Sequence, residues 1–190
     1  GLAGMLGSNI AYKLKDDYVL SGVDLLTVNM HGVDSYNLDA LDYEKMLQCL
    51  KKIKPDVIIH TAAAVNVDKC ETEPNYAKAL NVEMTDNICK AADVIGAKVI
   101  YISTDAVFDG ESQRLYNEED KVSPINIYGK TKLEGENIVI KNKKNLILRT
   151  NIYGFNIQSK NSFGEWIYTS LMKDGELKMF TDIDFSPILV

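Results

Sequence analysis

The stretch Gly1-Leu2-Ala3-Gly4-Met5-Leu6-Gly7-Ser8-Asn9-Ile10 sets three glycines three residues apart at the head of a helical repeat. Leu6, Ile10, Ala11 and Leu14 fall on one face, so a helix is expected to start inside the glycine run and reach Leu14. A pyrophosphate needs such a junction. The turn must be free to take positive φ, no Cβ may block the backbone, and the helix end must offer N–H groups and a positive dipole. An ordinary glycine loop reads the same way, because short glycine patterns are weak alone. Asp24 adds to the first reading. It ends the next expected strand, where an acidic residue about 20 residues on accepts hydrogen bonds from an adenosine ribose and repels a 2′-phosphate, which favours NAD over NADP.

Working outward, the chain alternates short apolar runs with amphipathic ones. Strands are expected at Tyr18–Val23, Asp56–His60, Lys98–Ser103 and Asn145–Arg149. Helices are expected over Asp42–Lys54, Pro74–Ile95 with an interruption near Asn81, Tyr128–Ile140 and Phe163–Lys173. The β-branched runs suit buried parallel strands, and the alternation implies βαβ units with right-handed crossovers. The expected fold is therefore α/β: a Rossmann-type doubly wound parallel sheet over residues 1–150, followed by the start of a small substrate-binding subdomain over 151–190. The chain opens on Gly1 and stops at Val190, and it is read as lacking its first strand and its C-terminal part.

Composition narrows the function. A net charge of −6 argues against a nucleic-acid or anionic-membrane surface. The scattered Cys49, Cys70 and Cys89 and only two histidines, His31 and His60, leave no zinc-ligand spacing, and free thiols fit a reducing cytoplasm. No apolar run approaches a membrane span.

The chemistry is read from two further segments. Tyr128 and Lys132 are spaced i, i+4 and share a helical face. A phenol is a poor acid at neutral pH, and a neighbouring ammonium would bring it toward the working range of a general acid. Ile102-Ser103-Thr104-Asp105 closes an expected strand, and open parallel sheets bind ligands at the carboxyl ends of their strands. Thr104 can offer its hydroxyl beside Tyr128, although Ser103–Asp105 also reads as a helix cap. Asp39 is either a helix-start acid or a loop residue that reaches an adenine.

Taken together, Gly1-x-x-Gly4-x-x-Gly7, His60-Thr61-Ala62-Ala63-Ala64, Val67-Asp68-Lys69-Cys70-Glu71, Ser103-Thr104-Asp105-Ala106-Val107-Phe108-Asp109-Gly110 and Pro124-Ile125-Asn126-Ile127-Tyr128-Gly129-Lys130-Thr131-Lys132 resemble the extended short-chain dehydrogenases, and within them the dTDP-4-dehydrorhamnose reductase branch. The resemblance implies an NAD- or NADP-dependent reductase of a nucleotide-linked 4-keto-6-deoxy sugar. Catalysis would fall to Thr104, Tyr128 and Lys132. The cofactor would be met by Gly1, Gly4, Met5, Leu6, Gly7, Asp24, Asp39, Ala40, Ala62, Ala63, Ala64, Tyr128 and Lys132, and the substrate by Thr104, Asp105 and Asn151, with no metal. A nucleotide sugar is the expected partner and a homodimer a possible assembly. Ala106 stands where the branch has Tyr, and Asn151-Ile152-Tyr153-Gly154 is closer to the epimerase and dehydratase relatives. Two alternatives follow: an epimerase or dehydratase that retains its NAD, and a non-catalytic regulatory subunit resembling the β subunit of methionine adenosyltransferase.

Overall fold

The computed structural model describes residues 1–156, 162–173, 175–179 and 186–190. The chain divides into two compact units, one formed by Gly1–Asn37 with Thr150–Val190 and the other by Leu38–Arg149.

In the first unit, α1 (Met5–Leu14) leads to β1 (Leu20–Asp24), which pairs in parallel with β2 (Val33–Asn37) from Leu20 opposite Val33 to Asp24 opposite Asn37. Leu2, Ala11 and Val28 form its small core, with Leu20, Met30 and Val33 packed against them. β2 was not expected, because Val33-Asp34-Ser35-Tyr36-Asn37 carries polar residues and lacks the apolar run of a buried strand. The same unit holds β6 (Asn151–Tyr153), α7 (Phe163–Leu171) and β7 (Pro187–Leu189). β6 and β7 pair in parallel. α7 starts at the expected residue because Ser162 and Glu165 form a reciprocal capping box.

The second unit contains a parallel sheet in the order β3 (Val57–His60), β4 (Lys98–Ser103), β5 (Leu146–Arg149). β4 begins and ends at the expected residues. Its alternation buries Val99, Tyr101 and Ser103 on one face. Val99 and Tyr101 join Cys89, Ala92, Ala97 and Val139 in the main core, against Ile58, Ile95, Ile138 and Ile147. α2 (Tyr43–Ile53) is capped by Asp42, whose carboxylate accepts from the Lys45 N–H, and ends at Lys54 in the left-handed region just before Pro55. The crossover from β3 to β4 runs through α3 (Val67–Thr72), α4 (Pro74–Lys78), a single π-helical stretch at Ala79–Glu83 and α5 (Met84–Ile95). That π stretch is the expected interruption near Asn81. α3 was not expected; it is six residues long and owes its start to Asn66 accepting from the Lys69 N–H.

α6 (Ile127–Val139) joins β4 to β5. Asn126 caps it by accepting from the Gly129 N–H at 2.7 Å. A Cβ on Gly129 would collide with the carbonyl oxygen of Ala106 and stand 3.0 Å from Cβ of Pro124. Only glycine allows α6 to lie this close to the turn after β4. Gly129→Ala is therefore expected to destabilise the fold by at least about 1–3 kcal/mol, read as a lower urea midpoint with an unchanged slope.

Candidate active site

The expected residues fall in both units, and each group has its own local architecture. In the first unit Gly4 precedes α1 with φ −72° and ψ 161° and brings no side chain to cap it. The first intrahelical bond is from the Ser8 N–H to the Gly4 carbonyl at 3.0 Å, so the N–H groups of Met5, Leu6 and Gly7 point out of the helix end. No acidic residue lies in that first turn. Such an end suits an anion. The reason for glycine differs from the expected one: neither Gly4 nor Gly7 is among the residues with positive φ. What Gly4 supplies is close approach, since a Cβ there would stand 3.3 Å from the Gly1 carbonyl oxygen. Asp24 ends β1 beside this turn, with Oδ2 accepting from the Ala3 N–H at 2.9 Å and Oδ1 from the Leu26 N–H at 3.0 Å. Asn151, also in this unit, opens β6.

In the second unit the strand ends converge. Thr104 follows β4, and its Oγ1 accepts from the Ala106 N–H and donates to Asp105 Oδ1, both at 3.1 Å. This caps the one-turn 3₁₀ segment Asp105–Val107, so the cap reading and the site reading of Thr104 hold together. Tyr128, at the start of α6, lies near enough to the Thr104 hydroxyl for that hydroxyl to favour its ionised form. Its ring packs against the cluster of Ala64, Cys70 and Ala77, which brings it beside the loop that follows β3. That loop is held by Asn81. Its Oδ1 accepts from the Ala64 N–H at 2.8 Å, while its Nδ2 donates to the Ala64 carbonyl at 3.3 Å and to Thr131 Oγ1 at 2.9 Å. Thr131 in turn donates to the backbone carbonyls of Ile127 and Tyr128. One buried amide thus ties the Ala62–Ala64 loop to the turn of α6 that carries Tyr128. Asp39 turns its own loop, accepting from the Leu41 N–H at 2.9 Å, and Asn87 donates to the carbonyls of Ala40 and Leu41.

Lys132 is almost fully buried. Its Nζ donates to the Ile102 carbonyl at 2.7 Å and lies 4.0 Å above the Tyr101 ring. Burial pushes its pKa from 10.5 down to about 7, and Glu136 opposes the fall. The phenol of Tyr128 is pushed upward by burial. The Thr104 hydroxyl pulls it back, while Asp105 and Cys70 raise it further. The expected lowering of the phenol by the lysine is therefore not what this arrangement produces, because the ammonium is committed to the β4 carbonyl and the Tyr101 ring.

Asn81, which holds the Ala64 loop, and Glu136 are functional residues that the sequence motifs do not single out. Glu136 Oε1 accepts from Ser103 Oγ at 2.6 Å and from Arg149 Nε at 3.0 Å, and Oε2 from Arg149 Nη2 at 2.7 Å. The available signal was its place one helical turn after Lys132. His60, buried at the end of β3, hydrogen-bonds through Nε2 to Thr85 Oγ1 at 3.0 Å, and burial holds its pKa near about 3. The Thr85 hydroxyl donates to the Asn81 carbonyl, so Nε2 of His60 carries the proton. Among the described residues no group of three or more His, Cys, Asp or Glu is placed to hold a metal, and no helix is long and apolar enough to cross a membrane. The three cysteines are free and buried.

Parallel strands, a glycine-led helix and a Tyr–Lys pair at the strand ends define an α/β protein of the nucleotide-binding type. The model of the RmlD substrate binding domain matches residues 1–189, and the chain belongs to that family. It is 43% identical over 128 residues to the dTDP-4-dehydrorhamnose reductase of Shigella flexneri, covering 67% of this chain and 42% of that protein. It is 46% identical over 105 residues to methionine adenosyltransferase 2 subunit beta of Rattus norvegicus, covering 55% of this chain and 31% of that protein. The solved dTDP-4-dehydrorhamnose reductase of Bacillus anthracis in complex with NADP superposes with a TM-score of 0.74 at 31% identity, over 91% of this chain and 58% of that one. The chain thus spans less than half the length of these curated relatives.

Two outcomes follow from this geometry. Asn81→Ala strips partners from buried groups of the Ala64 loop and of Thr131, and it is expected to cost on the order of 1–3 kcal/mol in chemical denaturation. Because the folded pKa of Lys132 is depressed, the unfolded chain binds more protons above pH about 7. The lysine's contribution to stability therefore rises with pH from about 7 toward 10. Denaturation of the wild type and of Lys132→Met over that range should show the steeper rise in the wild type, and equal slopes would contradict the depressed pKa.

Proposed function

We propose that the chain is the cofactor-binding and catalytic part of an NAD(P)H-dependent reductase acting on a nucleotide-linked 4-keto-6-deoxy sugar, in deoxysugar or polysaccharide biosynthesis. The observation that carries the reading is the Tyr128 phenol beside the Thr104 hydroxyl at the carboxyl end of β4, with Lys132 buried one turn further along the same helix. The identity to the Shigella flexneri reductase supports it.

The residues fit a dinucleotide. The uncapped N-terminus of α1, without an acid in its first turn, suits the pyrophosphate, and Asp24 suits a ribose. When bound, NAD(P)H supplies a hydride to the C4 carbonyl. Tyr128 gives its proton to the alkoxide that forms, and Thr104 stabilises the developing charge with its hydroxyl. One of the three donors of the Lys132 ammonium goes to the Ile102 carbonyl; another is left to orient a ribose hydroxyl. Asp105 and Asn151 are the proposed sugar contacts, residues 1–150 the dinucleotide-binding part and 151–190 the start of the substrate-binding part. The proposed setting is the cytoplasm, with a homodimer as the assembly.

The identity to methionine adenosyltransferase 2 subunit beta favours a second reading, a regulatory subunit. One experiment separates the two. Full-length protein given a dTDP-4-keto-6-deoxy sugar should oxidise NADH or NADPH, and Tyr128→Phe should lower kcat by about 10²–10⁴-fold. A wild type that consumes neither cofactor sinks the reductase reading, and a fully active Tyr128→Phe sinks the proton-donor role.

A further inference from the structure

Glu136 is buried, and yet it is a carboxylate. Burial of a charge is costly unless it is paired and its remaining lone pairs are satisfied. Here the pairing is nearly complete: two bonds from the Arg149 guanidinium and one from the Ser103 hydroxyl. These three residues belong to three elements. Glu136 lies on α6 one turn after Lys132, Ser103 ends β4 immediately before Thr104, and Arg149 ends β5. The guanidinium also lies 5.2 Å from the centroid of the Phe108 ring, and Phe108 stacks on Tyr116 with centroids 4.4 Å apart. Tyr116 donates to Asp109 Oδ1 at 2.6 Å and accepts from the Ser112 N–H at 3.0 Å. The carboxylate therefore connects the reactive face of α6, both strand ends and the aromatic loop after β4.

We propose that Glu136 is a positioning residue for Thr104, Tyr128 and Lys132, the buried anchor that registers α6 against the carboxyl ends of β4 and β5. The proposal rests on the reading of Tyr128 and Lys132 as a proton-donor pair. Salt bridges on a surface contribute little, but a bidentate buried pair fixes direction as well as distance. A slip of α6 along the sheet would carry Lys132 away from the Ile102 carbonyl and Tyr128 away from Thr104, and misplacements of this kind cost catalysis heavily. The carboxylate is also the negative charge that opposes the loss of the Lys132 proton. The other ionisable groups that face Lys132 are His60 on β3 and Tyr101 on β4, with Tyr128 one turn earlier on its own helix. His60 stays neutral above about pH 3, so Glu136 is the charge that supports the Lys132 ammonium.

The test uses full-length protein with its lysines labelled for NMR, titrated without cofactor. In Glu136→Gln the Lys132 midpoint is expected to fall by at least about 1 in pH, and kcat to fall by about 10–100-fold with KM little changed. Glu136→Gln leaves the half-buried Arg149 guanidinium without its anionic partner, so the double variant Glu136→Gln/Arg149→Met provides a neutral replacement that folds if the single variant does not. It should show a smaller fall of the midpoint in the same direction. A Lys132 midpoint that stays at the wild-type value in whichever of the two variants folds overturns the proposal. The titration needs no turnover, so a wild type without reductase activity would refute the proposed function while leaving this result readable.

Discussion

The approach of α6 to the turn after β4 is the constraint on which the second unit depends. Gly129 removes the Cβ that would strike the Ala106 carbonyl, and Asn126 caps the helix directly beneath. Once the helix lies there, Tyr128 meets Thr104 and Lys132 enters the space above Tyr101. Neither meeting depends on the two residues' own preferences. Both depend on how far a backbone can advance before atoms collide, and at this point glycine is the only residue that sets that limit low enough.

Burial around this contact creates an electrostatic problem that polar bracing resolves. Lys132, Glu136, His60, Asn81, Thr85 and Ser103 are all buried near one another along the sheet. His60 stays neutral and donates to Thr85, Thr85 passes a hydrogen bond to Asn81, and Asn81 holds both the Ala64 loop and Thr131. Glu136 takes Arg149 and Ser103. Networks of this sort rigidify when every member is satisfied, and they punish the loss of one member through the others. The low pKa of Lys132 and the high pKa of Tyr128 are consequences of the same dryness. A water-excluded pocket strengthens every later interaction with charge, which is the condition under which a proton donor and an oxyanion partner are most effective.

Much of this was legible in advance, and the legible part has a common character. β4 was read to the residue because Lys98-Val99-Ile100-Tyr101-Ile102-Ser103 is apolar and β-branched between turn signals. α6 was read within a residue because its face repeats at helical spacing. β2 and α3 were not read: one is a polar edge-like strand, the other a six-residue helix whose start is one asparagine side chain. The glycine turn was read in position but for a different conformational reason, since Gly4 adopts an ordinary φ and contributes space instead.

By itself the sequence determined the local elements, the i, i+4 pairing of Tyr128 with Lys132 and the strand-end place of Thr104, because periodicity and capping act over a few residues. Tertiary structure alone decided what those groups touch. The bond from Lys132 to Ile102 spans 30 residues of chain, that from Asn81 to Thr131 spans 50, and the Glu136–Arg149 pair spans 13. No local preference encodes contacts at such separations. They arise when helix and sheet close on each other, water leaves, and each buried donor must find whichever acceptor the packing has brought within reach.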